Sequence, residues 1–196
     1  GTANIRLILK PLCTYRDHHK VTKGGFRVEV NSVTSPWPGG QAIAVQAYPE
    51  RAHGPARPFR VIANQGTFDP RPEWWWSFHL AREEERGLDD QEDLFSAGTL
   101  VAELRPGDTL ALVFTADATD PAPWHDAYAA ERQRQERLLA RADVEDAPDW
   151  VRQLVLAADQ FIVTRQIEGE LGTSILAGYP WFTDWGRDAM IALPGL

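Results

Sequence analysis

The chain has 196 residues, of which 43% are hydrophobic and 24% charged, with a formal net charge of -8. That is the profile of a globular protein with a sizeable core, long enough for one large domain or for one domain and part of another. An acidic chain repels phosphate backbones, so a nucleic-acid partner is excluded, while a neutral, hydroxyl-rich ligand is not.

In chain order the first two thirds alternate short apolar runs with turn chemistry. Ile5–Leu9 reads as a strand, and Phe26–Val30 and Gln41–Ala47 alternate with period two. Phe59–Ala63, Trp74–Leu80, Leu100–Leu104 and Thr109–Phe114 complete the set. Between them lie Gly- and Pro-rich breakers such as Ser35–Gly40, Asn64–Gly66, Pro70–Pro72 and Pro106–Asp108. Short strands at this spacing predict an antiparallel β-sandwich over residues 1–118, without an internal repeat. After Asp117 the composition changes. Trp124–Asp143 is rich in Ala, Glu, Gln, Arg and Leu and predicts a solvated linker helix within 119–146. From Pro148, Trp150, Leu154, Ala157 and Phe161 recur at helical spacing, beside a second row of Val151, Val155, Ala158 and Ile162. So broad an apolar face predicts tight packing against other helices. Gly169–Gly172 breaks the pattern, Thr173–Ala177 reads as extended or loop, and Ala189–Leu193 opens a further helix.

Cys13 is the only cysteine, so no intrachain disulfide forms, which fits a reducing, cytoplasmic location; a buried small hydrophobe in a strand is its expected role. No run is apolar and long enough to span a bilayer, and no leader pattern is visible. The only methionine is Met190, and Ile5–Leu9 already reads as mid-domain strand. The sequence therefore reads as a piece truncated at both ends.

Four segments could carry chemistry. In the strongest, 177–188, four aromatics (Tyr179, Trp181, Phe182 and Trp185) share one short loop with Asp184, Arg187 and Asp188. Aromatic faces stack on the C–H faces of pyranose rings, a guanidinium presents a planar fork of donors, and carboxylates accept from adjacent hydroxyls. An Arg–Asp pair capping a helix beneath a hydrophobic lid is the competing account. The second segment, Arg82–Asp93, lacks EF-hand spacing and alternates its charges; it predicts a charged loop rather than a metal site. The third is His18–His19, whose neighbouring side chains would point to opposite faces of a strand and chelate poorly. His53, His79 and His125 stand alone, and no nucleophile elbow supports a Ser–His–Asp reading. The fourth is Trp74–Trp76, with Trp74 and Trp76 on one face of a strand and Trp75 on the other. Burial of both faces, in the core and at a domain interface, is expected there; a carbohydrate platform is the alternative.

The run Gly178–Asp188 resembles the signature that opens the amylo-α-1,6-glucosidase domain of glycogen debranching enzymes, continued by Ile191–Leu196 and, upstream, by Ala158–Val163. Leu9–Leu12, Tyr15–Asp17 and Glu84–Phe95 resemble the N-terminal domain of the bacterial and archaeal members. The resemblance implies a β-sandwich domain (1–118), a linker helix (119–146) and the first helices and substrate loop of an (α/α)6 barrel (147–196). It implies hydrolysis of α-1,6-linked glucose in glycogen or a related branched α-glucan, without cofactor or metal and away from membranes. Trp181, Asp184, Trp185, Arg187 and Asp188 become the substrate-binding residues, with Arg187 and Asp188 on the glucose hydroxyls and Trp181 and Trp185 lining the pocket. The acid and base carboxylates of such enzymes lie on later helices, so the 196 residues alone are expected to be inactive. A polysaccharide-binding β module and a helical-barrel glucosidase of glucoamylase-like or trehalase-like specificity stay open beside it.

Overall fold

The computed structural model describes residues 3–17, 19–49, 56–167 and 169–195; His18 and His53 lie outside the described residues. The chain divides into two compact units, 1–124 and 125–196.

The first unit is built of antiparallel pairs. Its strands are β1 (Ile5–Leu9), β2 (Leu12–Cys13), β3 (Arg27–Val33), β4 (Gln41–Tyr48), β5 (Phe59–Ala63), β6 (Thr67–Asp69), β7 (Glu73–His79), β8 (Gln91–Ser96), β9 (Thr99–Leu104) and β10 (Leu112–Thr115). A short helix, α1 (Ala81–Glu85), interrupts β7 and β8. One layer is the four-stranded sheet β10-β5-β4-β3. The other consists of two three-stranded sheets, β1-β9-β6 and β2-β8-β7, whose strands follow one another in sequence. The second layer is thus three strands, each bent once, at Lys10–Pro11, at Ala97–Gly98 and at 70–72. The bend needs glycine at position 98. Its φ is +124°, and a Cβ there would stand 2.4 Å from the Asp69 carbonyl oxygen.

Alternation along β4 sends Ile43 and Val45 to the layer between the sheets, where they meet Val61, Ala63, Phe68, Phe95 and Leu100. The opposite face of the same sheet is also covered. Ala42 and Ile62 pack with Trp37, joined by Val113 and Trp124. The Trp37 indole N–H donates to the Ala122 carbonyl at 3.2 Å, so this tryptophan is a satisfied core residue.

Three expectations need correction in this unit. The strand expected from Thr109 begins at Leu112. The preceding residues bond a side chain instead: Asn64 donates to the Thr109 carbonyl at 2.9 Å and accepts from the Ala111 N–H at 2.9 Å. The charged segment Arg82–Asp93 is not one loop. It forms α1, a left-handed turn at Gly87 (φ +68°) and the start of β8. Glu92 on that strand is 3% exposed, accepts the Thr22 N–H at 3.2 Å, and is held by the Arg16 fork. Asp93 accepts the N–H groups of Gly24 and Ser77, both at 2.9 Å. Ser77 sits in a bulge with φ +61°, and the Asp93 carboxylate satisfies the donor that the bulge takes out of the ladder. Finally, Trp74 and Trp76 do share a side, with ring centroids 6.0 Å apart. Only Trp74 joins the core, however. Trp76 is 59% exposed, so the expected core burial of their shared face holds for Trp74 alone.

The second unit continues helix α2 (Trp124–Arg141) and adds α3 (Asp149–Asp159), β11 (Ile162–Ile167), β12 (Glu170–Gly178), β13 (Phe182–Asp184), α4 (Gly186–Ala192) and a final 3-10 turn, Leu193–Gly195. None of the α2 residues is buried, as its mixed charges predict; Arg134 pairs with Glu131 on its own helix and with Asp159 of α3. The helical periodicity overruns α3. Phe161 lies in the turn beyond it and Ile162 opens a strand, because the β-branched run Ile162–Thr164 favours extended backbone and pairs in register with Thr173–Ile175. Nor is α3 tightly packed: Trp150 is 66% and Leu154 58% exposed. What remains of its apolar face lines an open hollow of about 410 Å³ with Phe161, Ile175, Leu176 and Ala192.

Candidate functional site

The aromatic and charged residues of 177–188 occupy the end of the β11-β12-β13 sheet and the entry to α4. Gly178 pairs with Phe182 and Leu176 with Asp184, so the turn between β12 and β13 is short and holds Tyr179 and Trp181; Tyr179 and Pro180 are joined by a cis peptide bond. The Tyr179 hydroxyl donates to the Gln160 carbonyl at 3.0 Å, and its ring lies 5.5 Å from Phe161. Phe182 and Trp185 meet edge to face with centroids 6.5 Å apart, and both are exposed. Trp181 is half-buried.

The two carboxylates differ. Asp184 faces the hairpin behind it. The Ser174 hydroxyl donates to it, its own backbone N–H adds a second bond, and Arg165 stands 3.7 Å away. These donors hold its carboxyl below the usual aspartate value, so it stays ionised at neutral pH. Asp188 lies in the first turn of α4. Its Oδ2 is 3.6 Å from Arg187 Nε, beyond hydrogen-bond length, and this oxygen has no surface and accepts no hydrogen bond among the described residues. The side chain as a whole is 39% exposed, and Arg187 beside it 77%. The capping account is not what is seen. The residue at the helix N-cap is Trp185, extended and without a side-chain cap. Asp184, Trp185, Arg187 and Asp188 therefore share one short stretch; both Asp–Arg separations exceed hydrogen-bond length, and Asp184 differs in receiving the Ser174 hydroxyl and its own backbone N–H.

Sequence reasoning missed Arg165 and Ser174, the residues that fix Asp184. Their signal lies in strand alternation: Arg165 follows Val163, and Leu176 follows Ser174, with period-two spacing, which the helical rows ending at Ile162 obscured for the first pair. It also took His79 to stand alone, whereas its Nε2 lies 3.1 Å from Glu84 Oε2 and 3.6 Å from Asp90 Oδ2.

Residues 1–111 match the family described as glycogen debranching enzyme N terminal, more than half of the chain. The chain belongs to the glycogen debranching enzyme family. Residues 156–196 match a second family of these enzymes, amylo-alpha-1,6-glucosidase, and that match contains the whole Tyr179–Asp188 stretch. No curated protein and no solved structure matches the chain. In this debranching enzyme chain the first match ends at the edge of β10, and the second begins within α3. No helix among the described residues is long and apolar enough to cross a membrane.

Proposed function

We propose that this chain is part of a cytoplasmic glycogen debranching enzyme that hydrolyses α-1,6-glucosidic branch points in glycogen or a related branched α-glucan. Residues 1–118 are its β-sandwich domain, 119–146 a linker helix, and 147–196 the opening of an (α/α)6 glucosidase barrel. The exposed apolar residues of α3 and of α4, Met190 and Ile191 among them, would be covered by further helices of that barrel. The loop holds the glucose to be released. Arg187 and Asp188 bind its hydroxyls, Trp181 and Trp185 line the pocket, and Asp184 orients the entry to α4. The reading rests on one observation: within the glucosidase match, an exposed arginine stands beside a carboxylate oxygen that accepts no hydrogen bond. A buried acceptor without a donor costs about 1–3 kcal/mol, and a sugar hydroxyl would donate to the exposed part of the same carboxylate.

The loop does not perform proton transfer. Glycoside hydrolysis needs one protonated and one ionised carboxyl flanking the scissile bond. The Asp184 carboxyl is lowered by Ser174, its own backbone N–H and Arg165, the opposite of the raised value a general acid needs. The catalytic pair belongs to other helices of the barrel, and the 196 residues alone release no glucose. The test uses the enzyme carrying its complete helical domain on a limit dextrin with single α-1,6 glucose stubs. Arg187→Ala and Asp188→Ala, with folding intact, are expected to abolish glucose release. Wild-type enzyme that cleaves other glucosides but not this one would replace the branch-point specificity with a glucoamylase-like one. The exposed Trp76 favours a second, compatible role for the β domain as a glucan-binding module; undiminished glycogen affinity in Trp76→Ala would dismiss it.

A further inference from the structure

Outside this loop, one other place among the described residues gathers ligand-type side chains. His79 ends β7, Glu84 lies in α1, and Asp90 precedes β8. The backbone that carries them closes on itself. The Leu80 N–H donates to the Asp90 carbonyl at 2.8 Å, and the N–H groups of Glu83 and Glu84 reach the Leu80 carbonyl at 2.9 and 3.1 Å. The Leu88 N–H returns to the Glu83 carbonyl at 3.0 Å, across the left-handed Gly87. His79 pairs with Gln91 in the sheet. Three side chains from one short segment thus leave fixed backbone positions and converge. Nε2 of His79, Oε2 of Glu84 and Oδ2 of Asp90 all lie within 4.8 Å of one another.

The neighbouring charges separate this trio from the rest of the acidic segment. Glu85 is paired with Arg82, Glu92 with Arg16, and Asp93 receives two backbone N–H groups. Among the described residues, Glu84 and Asp90 pair with no arginine or lysine; each meets only the imidazole. Two like charges brought this close repel, and a cation between them removes the cost. The spacing fits a small one. Ligand atoms about 2.1 Å from a tetrahedral zinc ion stand about 3.4 Å apart; the two distances from His79 are 3.1 and 3.6 Å, and the carboxylates stand no more than 4.8 Å from each other. One imidazole nitrogen with two carboxylates suits zinc and its first-row neighbours, whereas calcium and magnesium take all-oxygen sets.

We propose that His79, Glu84 and Asp90 form a site for a divalent transition-metal ion of the zinc class, with water in the remaining position. The bound ion ties α1 to the β7–β8 pair; it takes no part in glucan hydrolysis and does not depend on that reading. The test uses the whole, tag-free chain after chelator treatment, titrated at neutral pH with Zn²⁺ by calorimetry and with Co²⁺ by visible absorption. One-to-one binding, a rise in Tm and a Co²⁺ d–d band are expected. His79→Ala and, separately, Asp90→Asn should each weaken binding by at least about tenfold. The asparagine keeps the Asp90 carbonyl that Leu80 uses, so it reports on the ligand rather than on the turn. His125→Ala should change nothing. Absence of one-to-one binding, or binding that survives both His79→Ala and Asp90→Asn, would overturn the proposal and leave the trio as an ion-paired histidine.

Discussion

Removing Arg16 should destabilise the β unit far more than the loss of a surface charge. Arg16 approaches Glu92 with two nitrogens, Nε on Oε1 and Nη2 on Oε2, the second at 3.3 Å. The carboxylate is 3% exposed, whereas the arginine side chain is 27% exposed, so the pair lies at the edge of the interior with its anion on the inside. Deleting one partner of a buried pair costs about 3–5 kcal/mol, because the other charge is left uncompensated. Partial solvation of Arg16 puts Arg16→Ala at the lower end, about 3 kcal/mol, or roughly a hundredfold in the unfolding equilibrium. The second substitution separates this account from simple loss of packing. Glu92→Gln removes the charge and keeps an oxygen for the Thr22 N–H, so Arg16→Ala/Glu92→Gln should recover at least half of the loss. Urea denaturation followed by tryptophan fluorescence measures both. A single-mutant cost under about 1 kcal/mol, or a double mutant no more stable than the single, would refute the reasoning.

Gly98→Ala should cost about 2 kcal/mol or more in the same assay, since both the positive φ and the 2.4 Å approach to the Asp69 carbonyl oppose a Cβ. Cys13 should resist alkylation. Burial pushes its thiol up to about 11, so iodoacetamide should modify the native chain at least about tenfold more slowly than the urea-unfolded one. The Asp184 carboxyl is depressed by Ser174, its own backbone N–H and Arg165. Its contribution to stability is therefore complete above the unfolded aspartate value and is lost as pH falls through the lower, folded one. Carbon-detected NMR titration should find that low value in the wild type and a value nearer the ordinary one in Ser174→Ala.

The elements legible from sequence are those whose pattern is local. Ile5–Leu9 and Phe59–Ala63 are strands with the bounds their apolar runs predict, and α2 follows from composition alone. What escaped depends on contacts far along the chain. Glu92 and Asp93 look like solvated charges until Arg16 and Gly24 arrive from about 70 residues away. Strands β2 and β6 have two and three residues, too few to show a period. Phe161 and Ile162 continue the spacing of α3, yet the hairpin partner of Ile162 is Ile175, and that pairing overrides the helical pattern. In the candidate site the composition of 179–188 was readable and its internal order was not. No spacing reveals that Asp184 is tied to Arg165 and Ser174, or that Glu84 and Asp90 close on His79.

That internal order bears most directly on mechanism. A loop that only displayed aromatics and charges would deform when a ligand pulled on it, and the binding energy would go into ordering the loop rather than orienting the sugar. Here the constraint and the free valence fall on different aspartates. Asp184 is tied to β12 by the Ser174 hydroxyl, with Arg165 of β11 3.7 Å away, and it stands two residues before the first turn of α4. The helix entry that carries Arg187 and Asp188 is therefore anchored at its root. The Arg187–Asp188 pair is left 3.6 Å apart, and the buried Asp188 Oδ2 accepts no hydrogen bond among the described residues. The proposed sugar-holding role needs such a division, with rigidity from the hairpin behind the loop and affinity from the groups the hairpin does not use.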